Sequence, residues 1–120
     1  MNNDVAALDR RLNEMILAGK ILEAFEQFYA DDVVMQENSD PPRAGKAANR
    51  EFEKQFLANV EQFHGAKLGA VAASGDVSFS EWEFDITFKG GARKKTAQVA
   101  VRRWRDGKIV HERFYYDPGK

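Results

Sequence analysis

Residues 77–117 read VSFSEWEFDITFKGGARKKTAQVAVRRWRDGKIVHERFYYD, and the fold turns on how this stretch is divided. Two glycine-bearing pairs, Gly90-Gly91 and Asp106-Gly107, separate three long segments rich in β-branched and aromatic residues. Such pairs take positive φ readily and close two-residue hairpins whose twist matches their strands. A two-residue loop at Gly90-Gly91 places Lys89 opposite Ala92, Trp82 opposite Val99, Phe84 opposite Ala97 and Ser80 opposite Val101. Around Asp106-Gly107, Arg105 faces Lys108, so Val101 meets Glu112, Val99 meets Phe114 and Ala97 meets Tyr116.

Side chains alternate between the faces of a strand, so this register sorts the sheet into two surfaces. One carries Ser80, Trp82, Phe84, Ile86, Ala97, Val99, Val101, Phe114 and Tyr116, with Glu112 among them, and is expected to lie under helices. The other carries Phe79, Glu81, Glu83, Asp85, Gln98, Ala100, Arg102, Trp104, His111, Arg113 and Tyr115. Its aromatic edge suits water or a second subunit.

Upstream, Val5, Leu8, Leu12, Met15 and Ile16 recur at helical spacing over residues 4–18, with Asp4 as N-cap and Gly19 as terminator. A second helix follows, with Ile21, Leu22, Phe25, Phe28 and Tyr29 on its inner side. Val33 to Glu37 reads as a short strand, and Asn38 to Pro42 as a loop. The stripe Ala48, Phe52, Phe56 and Val60 predicts a third helix from about Ala44 to Phe63. His64 to Ala73 reads as a further strand. Helices first and long antiparallel strands afterwards imply an α+β fold: a curved sheet wrapped around three N-terminal helices, with a cone-shaped pocket between.

At 120 residues, the chain fits one domain spanning 1–120. Its 43% apolar and 31% charged residues are those of a globular protein. A net charge of −1 supplies no field for nucleic acid or an anionic membrane. The basic run from Arg102 to Arg105 is accounted for by cross-strand acids. Without cysteine there is no thiolate chemistry or disulfide, and His64 and His111 alone offer too few ligands for a metal. No apolar run approaches membrane-spanning length and no secretory signal opens the chain, which places it in the cytoplasm.

The run Phe28-Tyr29-Ala30-Asp31-Asp32-Val33-Val34-Met35-Gln36-Glu37, followed by Pro41-Pro42-Arg43-Ala44-Gly45 and Arg50-Glu51-Phe52, resembles the NTF2-like (cystatin-like) superfamily. Phe79 to Phe84, Gly107-Lys108-Ile109 and Tyr115-Tyr116-Asp117 extend the likeness to SnoaL-like and ketosteroid-isomerase-like proteins. The resemblance implies an α+β barrel with an apolar pocket, no cofactor, and a homodimer. It places the general base of the isomerases on Glu37. The two oxyanion-hole positions fall near Leu12 and on Val99, both apolar, which argues against steroid isomerisation by that mechanism.

Glu37, Glu112 and Tyr116 are therefore the candidate catalytic groups. A carboxylate held at the mouth of an apolar pocket loses hydration and becomes a usable base near neutral pH. Glu112 on the apolar face needs a partner or a proton, and Arg103, diagonal to it, is the expected partner. Met35, Phe52, Phe56, Ser80, Trp82, Phe84, Ile86, Val99, Val101 and Phe114 are the expected pocket lining. The implied activity is a cofactor-free lyase, isomerase or hydrolase on a small apolar molecule. The alternative is a non-catalytic ligand-binding or dimerisation module. The dimer is expected through the outer sheet face at Phe79, Ala100, Arg102, Trp104 and Tyr115.

Overall fold

The computed structural model describes residues 4–118. The expected bounds of 1–120 thus include 1–3 and 119–120, which lie outside the described residues. The order is α1 (Val5–Leu17), α2 (Ile21–Phe28), β1 (Tyr29–Glu37), β2 (Arg43–Ala44), α3 (Lys46–Ala58), β3 (Val60–Ser74), β4 (Val77–Phe88), β5 (Arg93–Arg105) and β6 (Lys108–Tyr116). The strands form one open mixed sheet in the order β2-β1-β6-β5-β4-β3. β1 runs parallel to β6, and the other neighbours are antiparallel. This is the expected α+β architecture of a sheet around three helices. None of the described helices is long and apolar enough to cross a membrane.

Asp4 caps α1 by accepting the Ala7 N–H at 3.2 Å, satisfying one of the orphan amides of the first turn. α3 is shorter than its apolar stripe suggests. Asn59 closes it, and Val60 leaves to pair with Phe88, so sheet pairing takes over what helical spacing alone assigned to the helix. β3 accordingly begins at Val60 rather than His64. The core joins Leu12, Phe25, Phe28, Val33, Met35 and Ile109, all nearly solvent-free.

The hairpin register departs from expectation by one residue. Phe88 N–H donates to the Ala92 carbonyl at 2.8 Å, and Thr87 pairs with Arg93, so Lys89-Gly90-Gly91 forms a three-residue loop. The reason is a contact from outside the hairpin: the Lys89 N–H donates to the Asn59 carbonyl at 2.9 Å, which takes it out of the β4–β5 ladder. Trp82 therefore pairs with Gln98, Phe84 with Thr96 and Ser80 with Ala100.

A one-residue slip moves a whole strand's side chains to the opposite face. In β5, Gln98, Ala100, Arg102 and Trp104 face the helices, while Val99 and Val101 face outward. Ala100, Arg102 and Trp104 are 0%, 2% and 3% exposed, and Val99 is 36% exposed. The inner-face expectation for Ala97, Val99 and Val101 is corrected accordingly. The expected dimer surface loses Ala100, Arg102 and Trp104 for the same reason. The second turn forms as expected, with Arg105 opposite Lys108. An irregularity between Arg103 and Trp104 then shifts the register back, so that Arg102 meets Glu112, Ala100 meets Phe114 and Gln98 meets Tyr116. The two slips cancel for β6, where Glu112 is fully buried as expected.

Candidate functional site

Helices and sheet enclose a cavity of about 170 Å³. Leu12, Ile16, Ile21, Ala24 and Phe25 of α1 and α2 line one side. From the sheet come Trp82, Phe84, Ile86, Gln98 and Phe114, with Trp82 stacked on Phe84 at 5.3 Å between ring centres. Phe52, Phe56 and Phe63 also line it, and each is about two-fifths exposed, which puts them at the mouth. Besides Gln98, the polar members are Tyr29, Glu37, Glu53, Arg102 and Glu112.

Beneath the cavity runs a buried ionic network built on Arg102. Its Nε donates to Glu112 Oε2 at 2.7 Å, and its Nη1 donates to Asp9 Oδ1 at 2.7 Å and Asn13 Oδ1 at 2.8 Å. Tyr29 Oη donates to the other Glu112 oxygen at 2.6 Å. Asp9 also accepts the Ser78 and Ser80 hydroxyls, and Ser78 in turn accepts the Trp104 indole N–H. Burial pushes the Glu112 carboxyl above its ordinary value, against the pull of Arg102 and the Tyr29 hydroxyl. Burial and the Glu112 charge likewise push the Tyr29 phenol well up. Burial works against the Arg102 charge too, but Glu112, Tyr29 and Asp9 outweigh it and hold the guanidinium above its ordinary value.

Glu112 is thus an ion-pair partner at the cavity floor, and its cation is Arg102 rather than the expected Arg103. The one-residue slip explains the exchange. Asp9 and Asn13 complete the network from α1, one turn apart on the stripe that also carries Val5 and Leu12.

Glu37 lines the cavity, as expected of it, but it is not a free carboxylate. Arg43 Nη2 donates to its Oε2 at 3.1 Å, and the Tyr116 hydroxyl donates to its Oε1 at 3.0 Å. Arg43 is itself fixed by the fully buried Asn49, which accepts its Nε–H and donates to its carbonyl. The guanidinium sits 3.6 Å from the Phe52 ring centre, as a cation over an aromatic face. Tyr116 does not line the cavity; it stands behind Glu37, and burial followed by the Glu37 charge pushes its phenol up to about 12.

The free acid is one that the sequence reading passed over. Glu53, half-buried on α3, lines the cavity, and its carboxyl makes no hydrogen bond or ion pair to any described residue. Burial, then the charges of Glu112 and Glu37, push it from 4.5 up to about 7, with Arg43 opposing. Its signal was its place beside the stripe: Glu53 follows Phe52 and stands one helical step from both Asn49 and Phe56.

Of the expected lining, Phe52, Phe56, Trp82, Phe84, Ile86 and Phe114 are in place. Met35 lies in the core behind, and Ser80 is buried in the Asp9 network. Val99 and Val101 are on the far face of the sheet, and Gln98 and Arg102 take their positions in the wall. Among the described residues no three His, Asp or Glu side chains converge as a metal site would require.

A SnoaL-like domain model matches residues 2–116. The chain is similar to a Mesorhizobium loti protein assigned as a SnoaL-like polyketide cyclase, at 28% identity and TM-score 0.86, covering 95% of this chain and all of that one. A Xanthomonas campestris protein of cystatin-like fold and unknown function shares 21% identity at TM-score 0.81, over 97% of this chain and 91% of that one. A Bacillus subtilis protein assigned as an isomerase shares 20% identity at TM-score 0.77, over 95% and 86%. No curated protein matches the chain. With nearly every described residue inside the matched span, the chain belongs to the SnoaL-like domain family.

Proposed function

We propose that this protein is a cofactor-free acid–base enzyme, of isomerase or lyase type, that moves a proton on a small, mostly apolar molecule held in the cavity. Glu53 takes the role that the sequence gave to Glu37. The carrying observation is a carboxyl that faces an apolar cavity with no partner to hold its charge. A carboxyl so placed, near 7, is divided between base and acid at neutral pH, where general acid–base catalysis is most efficient. Glu37 and Glu112 have the opposite arrangement, each bound to a guanidinium and a phenol, and after burial their charges help to keep Glu53 protonatable. The cyclase assignment of the Mesorhizobium loti protein accords with such chemistry.

NMR titration of the Glu53 carboxyl tests this reading, together with deuterium uptake at acidic C–H bonds of small ketones. A titration midpoint near 4.5, or uptake unchanged in Glu53→Gln, rules it out. The second reading, a binding module, draws on the same geometry: one free acid in the cavity, with the other two each held by a guanidinium and a phenol. It predicts ligand binding without exchange. The homodimer is also proposed, through the outer face as the structure has it: Phe79, Val99 and Tyr115, which are 36%, 36% and 45% exposed. A monomer mass by light scattering at tens of micromolar would end it.

A further inference from the structure

The cavity combines aromatic walls with an excess of negative charge. Trp82, Phe84, Phe56 and Phe63 line it, and so do Phe25 and Phe52. Two of these rings already carry a cation from the chain itself. The Arg43 guanidinium lies 3.6 Å from the Phe52 ring centre, and the Lys46 ammonium 5.9 Å from that of Phe25. Both cations are paired elsewhere, Arg43 with Glu37 and Lys46 with Glu26, and Arg102 on the floor is shared between Glu112 and Asp9. Glu53 is the acid left over, lining the same space with no hydrogen bond or ion pair to a described residue. Among the described residues no sealed side-chain oxygen lacks a partner, so its carboxyl opens onto the cavity.

We infer that the cavity is a binding site for an alkylated organic ammonium ion, whose charge pairs with the Glu53 carboxylate while its alkyl groups pack on the aromatic walls. The charges select the sign. Asp9, Glu112 and Glu37 outnumber Arg102 and Arg43 before Glu53 is counted, so an anion is repelled and a cation supplies what the site lacks. The walls select the kind of cation. A primary ammonium brings three N–H donors, and the unbonded acceptors lining the cavity are the Glu53 carboxyl and the Gln98 amide. A tertiary or quaternary ion spreads its charge over alkyl groups, brings one donor or none, and is attracted to ring faces.

The ion and a proton compete for one carboxylate. Around Glu53 stand Tyr29 and Glu37 of β1, Arg43 of β2, Arg102 of β5 and Glu112 of β6. Burial, then Glu112 and Glu37, push its carboxyl up to about 7, and a bound cation acts against those two charges. By linkage, a tenfold preference of the ion for the ionised carboxyl lowers the titration midpoint by about one unit. The site rests on the acid–base reading for the free Glu53 carboxyl alone and uses none of its chemistry.

The test compares benzyltrimethylammonium with neopentylbenzene, which has the same shape with carbon in place of nitrogen, by NMR titration of the wild-type protein at pH 8. In an apolar cavity indifferent to charge the hydrocarbon binds tighter, because only the ion gives up strong hydration. The ion is expected to bind tighter instead, and a tighter hydrocarbon overturns the inference. Saturating ion should lower the Glu53 midpoint by about one unit or more. An unmoved midpoint places the ion elsewhere and also overturns the inference. Glu53→Gln keeps the shape and removes the charge. It should weaken the ion about tenfold or more and leave the hydrocarbon unchanged. Equal effects on both ligands overturn the inference; if the variant does not fold, the wild-type midpoint decides. Ion binding with the midpoint shift, but deuterium uptake from ketones unchanged in Glu53→Gln, counts against the acid–base reading alone. Uptake lost in Glu53→Gln, with no binding of the ion to wild type, counts against the ammonium site alone.

Discussion

Replacing Glu53 by glutamine is expected to stabilise the protein, and to do so only at higher pH. Glutamine copies the shape and the neutrality of the protonated acid. In the fold the Glu53 carboxyl sits near 7, against 4.5 ordinarily, chiefly through burial and then through Glu112 and Glu37. A folded pKa above the unfolded one means that the native state holds the proton longer. Wild-type stability therefore declines as pH rises through the window from about 4.5 to 7, and the penalty is complete above it. At about 1.36 kcal/mol per unit, the shift is worth at most ~3 kcal/mol. Solvent entering by the mouth screens part of this, so about 1–3 kcal/mol is expected above pH 7.5. Urea unfolding of both proteins at pH 5 and pH 8 reads the difference, with other titrating groups largely cancelling between them. The two should be nearly equal at pH 5, and the variant should be more stable at pH 8. A difference that does not change with pH, or a variant less stable at pH 8, would show that the carboxyl is solvated or partnered, and would refute the reasoning.

Trp82→Ala should cost on the order of 3–5 kcal/mol in chemical denaturation, because the ring is 1% exposed and stacks on Phe84; a loss under about 1 kcal/mol would contradict its burial. Asp9→Ala leaves the Ser78 and Ser80 hydroxyls without their acceptor and Arg102 Nη1 with Asn13 alone, and should cost roughly 3–5 kcal/mol, as for other broken buried ion pairs. A near-neutral result by the same assay would mean that the network is wet. Val99→Lys should change monomer stability by less than about 0.5 kcal/mol, while Ala100→Lys should prevent folding. The reverse order, read by circular dichroism and urea titration, would restore the two-residue loop. If Val99 lies at a dimer contact, its lysine variant should also lower the mass seen by light scattering.

The fold was legible because it depends on periodicity, which composition errors hardly disturb. Helical spacing located α1 and α2, and glycine pairs located the hairpins; Asp106-Gly107, with φ of 54° and 79°, closes its turn as read. What was not legible was anything that depends on one residue of register. The two positive-φ glycines, Gly90 and Gly91, fit a two-residue loop in sequence, but the amide that would have closed it belongs to a contact with Asn59, 30 positions back in the chain. No local pattern reports a competitor at that distance. The error then acted selectively. It turned Val99 and Val101 inward on paper and Arg102 outward, and so gave Glu112 the wrong arginine. It left the aromatic wall of β4 correct, and the acid of β6 too, because the irregularity near Arg103 shifted the β5–β6 register back.

Glu53 was missed for a different reason. A hydrophobic stripe defines the face of a helix by its apolar residues, so a carboxylate on that face is read as lying just beside it. The same habit hid Asp9 and Asn13 on α1. In each case the polar residue is part of the face that packs inward. Asp9 and Asn13 hold Arg102, Arg102 holds Glu112, and burial followed by the charges of Glu112 and Glu37 raises Glu53. A polar side chain one helical step from buried neighbours is therefore the pattern to search for in chains of this fold. Its distinguishing mark is an acid without a hydrogen-bond partner among acids that have them, as Glu37 has Arg43 and Tyr116.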